Sequence, residues 1–390
     1  MMQAPAINRL YGKEKHMDCV NKNAENQNHL FSMHTVTFRA DVPKWKWECF
    51  KEALAEEKAK SPANIHKYYK EEKRFHYQTT DRWGYMHITL SRNREYNKNF
   101  IDLKVNPRTL LDVRCPFAYI ATDEDICQCM GRVQNFLELV DEDDLSVYDF
   151  YIRRIDYCVN IRLNSVDEVA EYMRLMKKGS HPYSTKRRMG YSQTQKRYIP
   201  TQDSFTVYSD TFEFSIYNKY GQMENGRRGY SGEDMRAAEQ MVRIEYRAGR
   251  GKVRREMIRH GCADLQDFLD RTAEIAAENI PRLIRMCYGS GKFVKYDEAA
   301  ACIEASGMKR KTKEKMRRML LNVTRYTLAD EKENNPDYKK LMKRFNGLGI
   351  SPVTIPLRSE FSCFENPLAY IRTNNANHFR PGGEAVMEKP

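Results

Sequence analysis

Three segments of this chain alternate apolar and polar residues with a period of two, and that periodicity constrains the fold more than any other feature. They are FYIRRIDYCVNIRL at 150–163, TFEFSIYNK at 211–219 and QMVRIEYR at 240–247. Side chains of a strand point alternately to opposite faces, so every second residue shares a side. One side carries Ile155, Tyr157, Val159 and Ile161, then Phe212, Phe214 and Ile216, then Val242, Ile244 and Tyr246. The other carries Arg154, Asp156, Cys158 and Asn160, then Glu213, Ser215, Tyr217 and Lys219, then Arg243, Glu245 and Arg247. In one sheet the apolar side must pack on helices. The polar side then gathers Asp156, Tyr217, Lys219 and Glu245 among several arginines.

The remaining pattern predicts an α+β chain with an antiparallel-rich sheet, helices on one face and an all-helical C-terminal domain. Residues 1–31 are polar and aperiodic and read as a loose tail. A strand over 32–40 precedes a helix over 43–58 with Trp45, Phe50 and Leu54 on one side. A hairpin follows over 75–90, broken at Trp83-Gly84, then a strand from 100 and a helix capped by Asp123 running to about 140. A second pass is similar: the strand at 150–163, a helix over 166–177 capped by Ser165, a long loop over 177–203, and strands at 204–208, 211–219 and 240–247. The repeated order suggests a pseudo-duplicated sheet over 32–258. Helices are expected at 263–288, 296–306 and 311–328 in a domain over 259–356, with a loose tail over 357–390.

Composition narrows the function classes. The 390 residues carry 66 Lys and Arg against 53 Asp and Glu, a net charge of +13. Such a surplus suits a polyanionic partner. No apolar run approaches the ~18–20 residues needed to span a bilayer, so no membrane role is expected. The opening residues lack the apolar core of a secretory signal, and the ten cysteines are expected as reduced thiols in a cytoplasmic protein. Cys127 and Cys129 form a C-x-C with no second pair at zinc spacing, and read as helix packing.

Two carboxylates on one strand face can hold a hard divalent ion, Mg²⁺ or Mn²⁺, through oxygen ligands. Such an ion neutralises charge developing on a phosphate. A nearby phenol attacks phosphorus once it loses its proton, which at an ordinary pKa of about 10 requires a cation to favour the phenolate. Lys219 stands two residues beyond Tyr217, and arginines give bidentate phosphate contacts. By periodicity alone, the same residues serve equally as cross-strand ion pairs.

The motifs RRIDYCVNI, FEFSIYNKYGQME and MVRIEYRAG, in that order, resemble the Rep_trans family of rolling-circle replication initiators and related relaxases. Their general plan is also similar to that of filamentous-phage initiators. The resemblance covers residues 150–250. It implies a metal-dependent endonuclease whose tyrosine nicks one DNA strand, stays joined to the 5′ phosphate and leaves a 3′ hydroxyl as primer. By motif position, Tyr217 is then the nucleophile, Asp156 and Glu245 are metal ligands, and Lys219 is the motif lysine. Tyr220 and Tyr208 are alternative nucleophiles, and Glu213 and Asp210 are possible third carboxylates. The nine histidines include no His-x-His triplet, which argues against a histidine-type metal site.

Two basic segments are candidate DNA contacts. The loop at 177–197 has seven Lys and Arg and no acid, with Lys186, Arg187, Arg188, Lys196 and Arg197 interleaved by Tyr183 and Tyr191. Cations grip phosphates and aromatics stack on unpaired bases. The segment KRKTKEKMRRMLLNVTR at 309–325 has an apolar stripe of Met316, Met319, Leu320 and Val323, and a cationic face with Lys313, Arg317 and Arg318. It suits the major groove, or simply a solvated or membrane-surface face. Arg154, Arg243 and Arg247 are the third group of expected DNA contacts. Gly289-Ser290-Gly291-Lys292 lacks phosphate-loop spacing and reads as a helix-ending turn, so any helicase, like any polymerase, would come from the host.

The leading expectation is therefore a tyrosine-dependent DNA nicking and joining enzyme. A non-catalytic nucleic-acid-binding protein and a metal nuclease using water are the alternatives. A second strand transfer requires another tyrosine or the second subunit of a homodimer.

Overall fold

The computed structural model describes residues 31–60, 65–71, 74–79, 84–93, 95–111, 121–140, 145–192, 197–200, 204–225 and 230–373. Residues 1–30 of the segment expected to be a loose tail, and residues 374–390, lie outside the described residues; Phe31, the last of that segment, is buried. The chain divides into two compact units that do not follow chain order. The first takes the described residues up to 111 with 121–153 and 260–272, and the second takes 154–259 and 273–373.

In the first unit, β1 (Ser32–Val42), β2 (Ile65–Glu71), β3 (Arg74–Thr79), β4 (Met86–Asn93) and β5 (Lys98–Val105) are antiparallel in the order β2-β3-β4-β5-β1. Alternation puts Val36, Phe38 and Ala40 of β1 in the core with Ile101, Leu103 and Val105 of β5 and Met86, Ile88 and Leu90 of β4. Helix Lys44–Lys60 adds Trp47, Phe50 and Leu54 to this core. Trp45, expected on that side, is 57% exposed. The spacing explains the exchange, because 47, 50 and 54 fall at i, i+3 and i+7 on one helical face. Helix Asp123–Val140 is capped by Thr122 rather than Asp123. The Thr122 N–H donates to Asp125 Oδ2 at 2.7 Å, and the Asp125 N–H donates to Thr122 Oγ1 at 3.2 Å. Cys129 is buried in this helix, as the packing reading of C-x-C expects.

In the second unit, β6 (Tyr151–Arg162) leads into helix Val166–Met176, whose Ser165 accepts from the Glu168 N–H as expected. The segment read as a long loop contains short strands β7 (Lys186–Arg187), β8 (Met189–Ser192) and β9 (Arg197–Pro200). Then come β10 (Ser204–Tyr208), β11 (Phe212–Asn218) and β12 (Met241–Gly249). The sheet order is β7-β10-β11-β12-β6, with β8 and β9 paired separately. Each unit thus runs strand, helix, then further strands whose last returns beside the first. That is the pseudo-duplicated topology the sequence suggests.

The C-terminal region is helical: Thr272–Tyr288, Tyr296–Ala305, Arg310–Arg325, Leu328–Asn334 and Tyr338–Gly347. It is not wholly so, because β13 (Phe293–Val294) pairs with β14 (Cys363–Phe364). Helix Pro367–Thr373 follows within the segment read as a loose tail. Tyr370 packs edge-on against buried Tyr172, and Phe364 lies 5.8 Å from the same ring. Aromatic burial therefore fixes a stretch whose sequence has no period. Gly289 ends its helix at φ +75, and a Cβ on Gly291 would meet the Ile350 backbone at 2.2 Å. The Gly-Ser-Gly-Lys segment is thus a helix stop and a close backbone crossing. Among the described residues, no helix is long and apolar enough to cross a membrane.

Candidate active site

The period of two places the site. Strand β12 lies between β6 and β11, and the register aligns their polar sides in rows. Asp156 is opposite Arg247, which is opposite Glu213. Cys158, Glu245 and Ser215 form the next row. Asn160, Arg243 and Tyr217 form the third. On the apolar side, Tyr157 and Tyr246 stack at 5.7 Å, and helix Val166–Met176 contributes buried Val169, Tyr172 and Met173.

The polar side is not an open surface. Asp156, Arg243 and Glu245 are 4%, 3% and 2% exposed. Buried charges persist only when paired and hydrogen-bonded, and these are. The Tyr217 hydroxyl donates to Glu245 Oε1 at 2.5 Å. The other oxygen of Glu245 accepts from Arg247 Nη2 at 2.7 Å. Arg154 donates to both oxygens of Asp156, at 2.6 and 2.7 Å. Glu213 accepts from Arg247 and is paired with Arg188. Arg243 Nε donates to Asn160 Oδ1 at 2.8 Å and its guanidinium lies 4.0 Å from Glu245.

Burial pushes the Tyr217 phenol well above its ordinary range, and the Glu245 charge adds to this against Arg243. Burial also raises the Asp156 carboxyl, with Arg154 and Arg247 opposing. Arg243 and Arg247 lose by desolvation and gain more from the surrounding anionic groups, so both are held firmly protonated.

Tyr217 is thus joined directly to a site carboxylate, unlike its alternatives. Tyr220 packs against Met223, Ala238 and Met241. Tyr208 lies on β10 opposite Glu213, with the Arg188 guanidinium 5.5 Å over its ring. Asp210 is exposed at the turn between β10 and β11. Lys219 does not continue the strand. Asn218 accepts from the N–H groups of Tyr220 and Gly221 and starts helix Lys219–Glu224. Lys219 is consequently the first helical residue, and its ammonium donates to Gln222 Oε1 at 2.7 Å. Asn160 is the residue that sequence reasoning left without a role, although the same alternation puts it on the polar side.

The expected DNA contacts separate by strand parity. Lys186 and Arg188 are exposed, whereas Arg187 points the other way, over the Phe205 ring at 5.5 Å. Arg243 is buried on Asn160 and Arg247 is bound among carboxylates, so neither is a free surface cation. The Arg154 side chain is 46% exposed. Lys196 lies outside the described residues, as do the side chains of Tyr191 and Arg197. On helix Arg310–Arg325 the expected apolar stripe is buried. Lys313 and Arg317 are held by the Glu304 carbonyl and carboxylate, while Arg318 is exposed.

Asp156, Glu245 and Glu213 offer the hard oxygen donors that Mg²⁺ or Mn²⁺ prefers. Their oxygens nevertheless face guanidinium groups rather than one another. The ligand atoms of these three do not all lie within 4.8 Å of one another, as those of a metal-binding group would. As arranged, they do not fit a divalent ion, and no step below is routed through one.

No protein-family model matches the chain, and no curated protein matches it. Among solved structures it is similar to a rolling circle replication initiator protein from Geobacillus stearothermophilus, at 9% identity and a TM-score of 0.29, over 83% of this chain and 97% of that one. It is also similar to DynU16, a putative protein in the dynemicin biosynthetic locus, at 12% identity and a TM-score of 0.19, over 63% of this chain and 96% of that one. Likenesses this distant carry no argument, and the functional reading rests on the site's own geometry.

Proposed function

We propose that this protein nicks and rejoins one DNA strand through Tyr217, as an initiator of rolling-circle replication does. The observation that carries the reading is the 2.5 Å hydrogen bond from the Tyr217 hydroxyl to Glu245, within a face of buried carboxylates and arginines. A phenol is a poor nucleophile until its proton leaves, and an adjacent base is the usual means. Glu245 takes the proton, and Tyr217 Oη attacks phosphorus. The bond from phosphorus to the 3′ oxygen breaks, and that oxygen takes up a proton to become the 3′ hydroxyl. Arg243, held against Glu245 and Asn160, offsets the charge on the attacking phenolate. The partly exposed Arg154 and the exposed Lys186 and Arg188 are suited to gripping the phosphodiester backbone.

The test is a denaturing protein gel after incubation with end-labelled single-stranded DNA of the protein's own replicon, with and without Mg²⁺ or Mn²⁺. The expected result is a DNA–protein adduct lost in Tyr217→Phe. Cleavage with no adduct favours a water nucleophile. Binding without cleavage on that DNA favours a non-catalytic binding protein.

A further inference from the structure

Arg247 occupies an unusual place for a strand arginine. Its guanidinium reaches Glu213 and Glu245 through separate nitrogens and stands 3.9 Å from Asp156. The register explains this. Arg247 has Asp156 opposite it on β6 and Glu213 opposite it on β11, with Glu245 two residues back on its own strand. Three carboxylates therefore converge on one cation. The cation is incompletely held, because Arg247 Nε is buried without a hydrogen-bond partner. Its side chain is still 29% exposed, so it has a way out to solvent.

We propose that Arg247 is a displaceable cation: in the free protein it bridges Glu213 and Glu245 beside Asp156, closes these carboxylates to divalent ions together with Arg154 and Arg188, and gives up that place when a phosphodiester draws its guanidinium away. Electrostatics requires the exchange to be competitive. A guanidinium and a divalent ion both neutralise the same oxygens, so each raises the cost of bringing in the other. A phosphodiester is a bidentate acceptor for arginine and competes for the same donors. By linkage, DNA that draws Arg247 off must increase the site's affinity for the ion. The proposal rests on the nicking reading for its purpose, but its main test needs neither cleavage nor DNA.

The experiment is Mn²⁺ titration of the full chain, followed by paramagnetic resonance of the free ion. Wild type is expected to bind weakly at this site. Arg247→Ala is expected to bind at least tenfold more tightly, with the gain removed in Arg247→Ala/Asp156→Asn. Arg247→Lys keeps a cation without the fork and should fall between, and it carries the test if the alanine variant does not fold. Adding an oligothymidylate should tighten Mn²⁺ binding to wild type and leave Arg247→Ala unchanged. Unchanged affinity in the position-247 variants overturns the proposal, as does a gain that survives loss of Asp156. Failure of the adduct assay with success here would overturn the nicking reading alone.

Discussion

The Tyr217 hydroxyl and Glu245 Oε1 meet at 2.5 Å between neighbouring strands, although the two residues are 28 apart in the chain. Tyr217 pairs directly with Arg243, and Glu245 lies one row along on the same side. A phenol, a carboxylate and a buried arginine are thereby brought together by strand register.

Tyr217→Phe should abolish the covalent DNA adduct while leaving the fold intact. Glu245 keeps its bond to Arg247 in that variant. The stability loss should therefore be limited to about 1.5–3 kcal/mol, the cost of a lost bond to a charged group. Chemical denaturation measures the second quantity and the adduct gel the first.

The same variant has a pH signature. The folded-state pKa of Tyr217 is raised, by burial first and then by Glu245. Stability from the protonated phenol is fully present below the unfolded value of about 10 and is lost as pH rises through the folded value. The stability difference between wild type and Tyr217→Phe should be constant below about pH 9 and narrow above about pH 10. Denaturant midpoints measured across that range check it, and a difference that widens would refute it.

Salt dependence separates surface cations from buried ones. Lys186→Ala and Arg188→Ala should each reduce the slope of log affinity against log salt for single-stranded DNA by roughly 0.7, one phosphate contact. Arg243→Gln should leave that slope unchanged, because Arg243 is 3% exposed and bonded to Asn160. Fluorescence anisotropy at several salt concentrations reads the slopes.

Lys178 supports the C-terminal helices. Its ammonium donates to the carbonyls of Val323, Thr324 and Tyr326 at 3.0, 3.0 and 2.9 Å, satisfying the end of helix Arg310–Arg325. A cation there also complements the helix dipole. Lys178→Met should cost about 1–2 kcal/mol, and hydrogen exchange should localise the loosening to the last turn of that helix.

Gly291→Ala should destabilise by about 1–3 kcal/mol through overpacking. The added methyl would meet backbone atoms of Ile350, which have no rotamer to yield. Thermal unfolding measures the loss, and a neutral result would mean that the crossing is looser than 2.2 Å implies.

The sequence by itself determined the three strands that carry the site and their sides. A period of two assigns Asp156, Glu213, Tyr217 and Glu245 to one face before any contact is known, and Ser165 marks its helix start because capping is local. The apolar stripe of helix Arg310–Arg325 was legible for the same reason. Tertiary structure decided how those side chains are spent. Lys219 is turned to Gln222 because Asn218 caps a helix one residue earlier than strand periodicity extends. Arg243 is buried and Arg247 bridges three carboxylates because register sets which residues face one another across strands. Residues 363–373 are ordered because Phe364 and Tyr370 meet Tyr172, nearly two hundred residues away. Periodicity and caps are properties of neighbouring residues and can be read along the chain. Charge pairing and aromatic docking depend on partners that only the folded chain brings within reach.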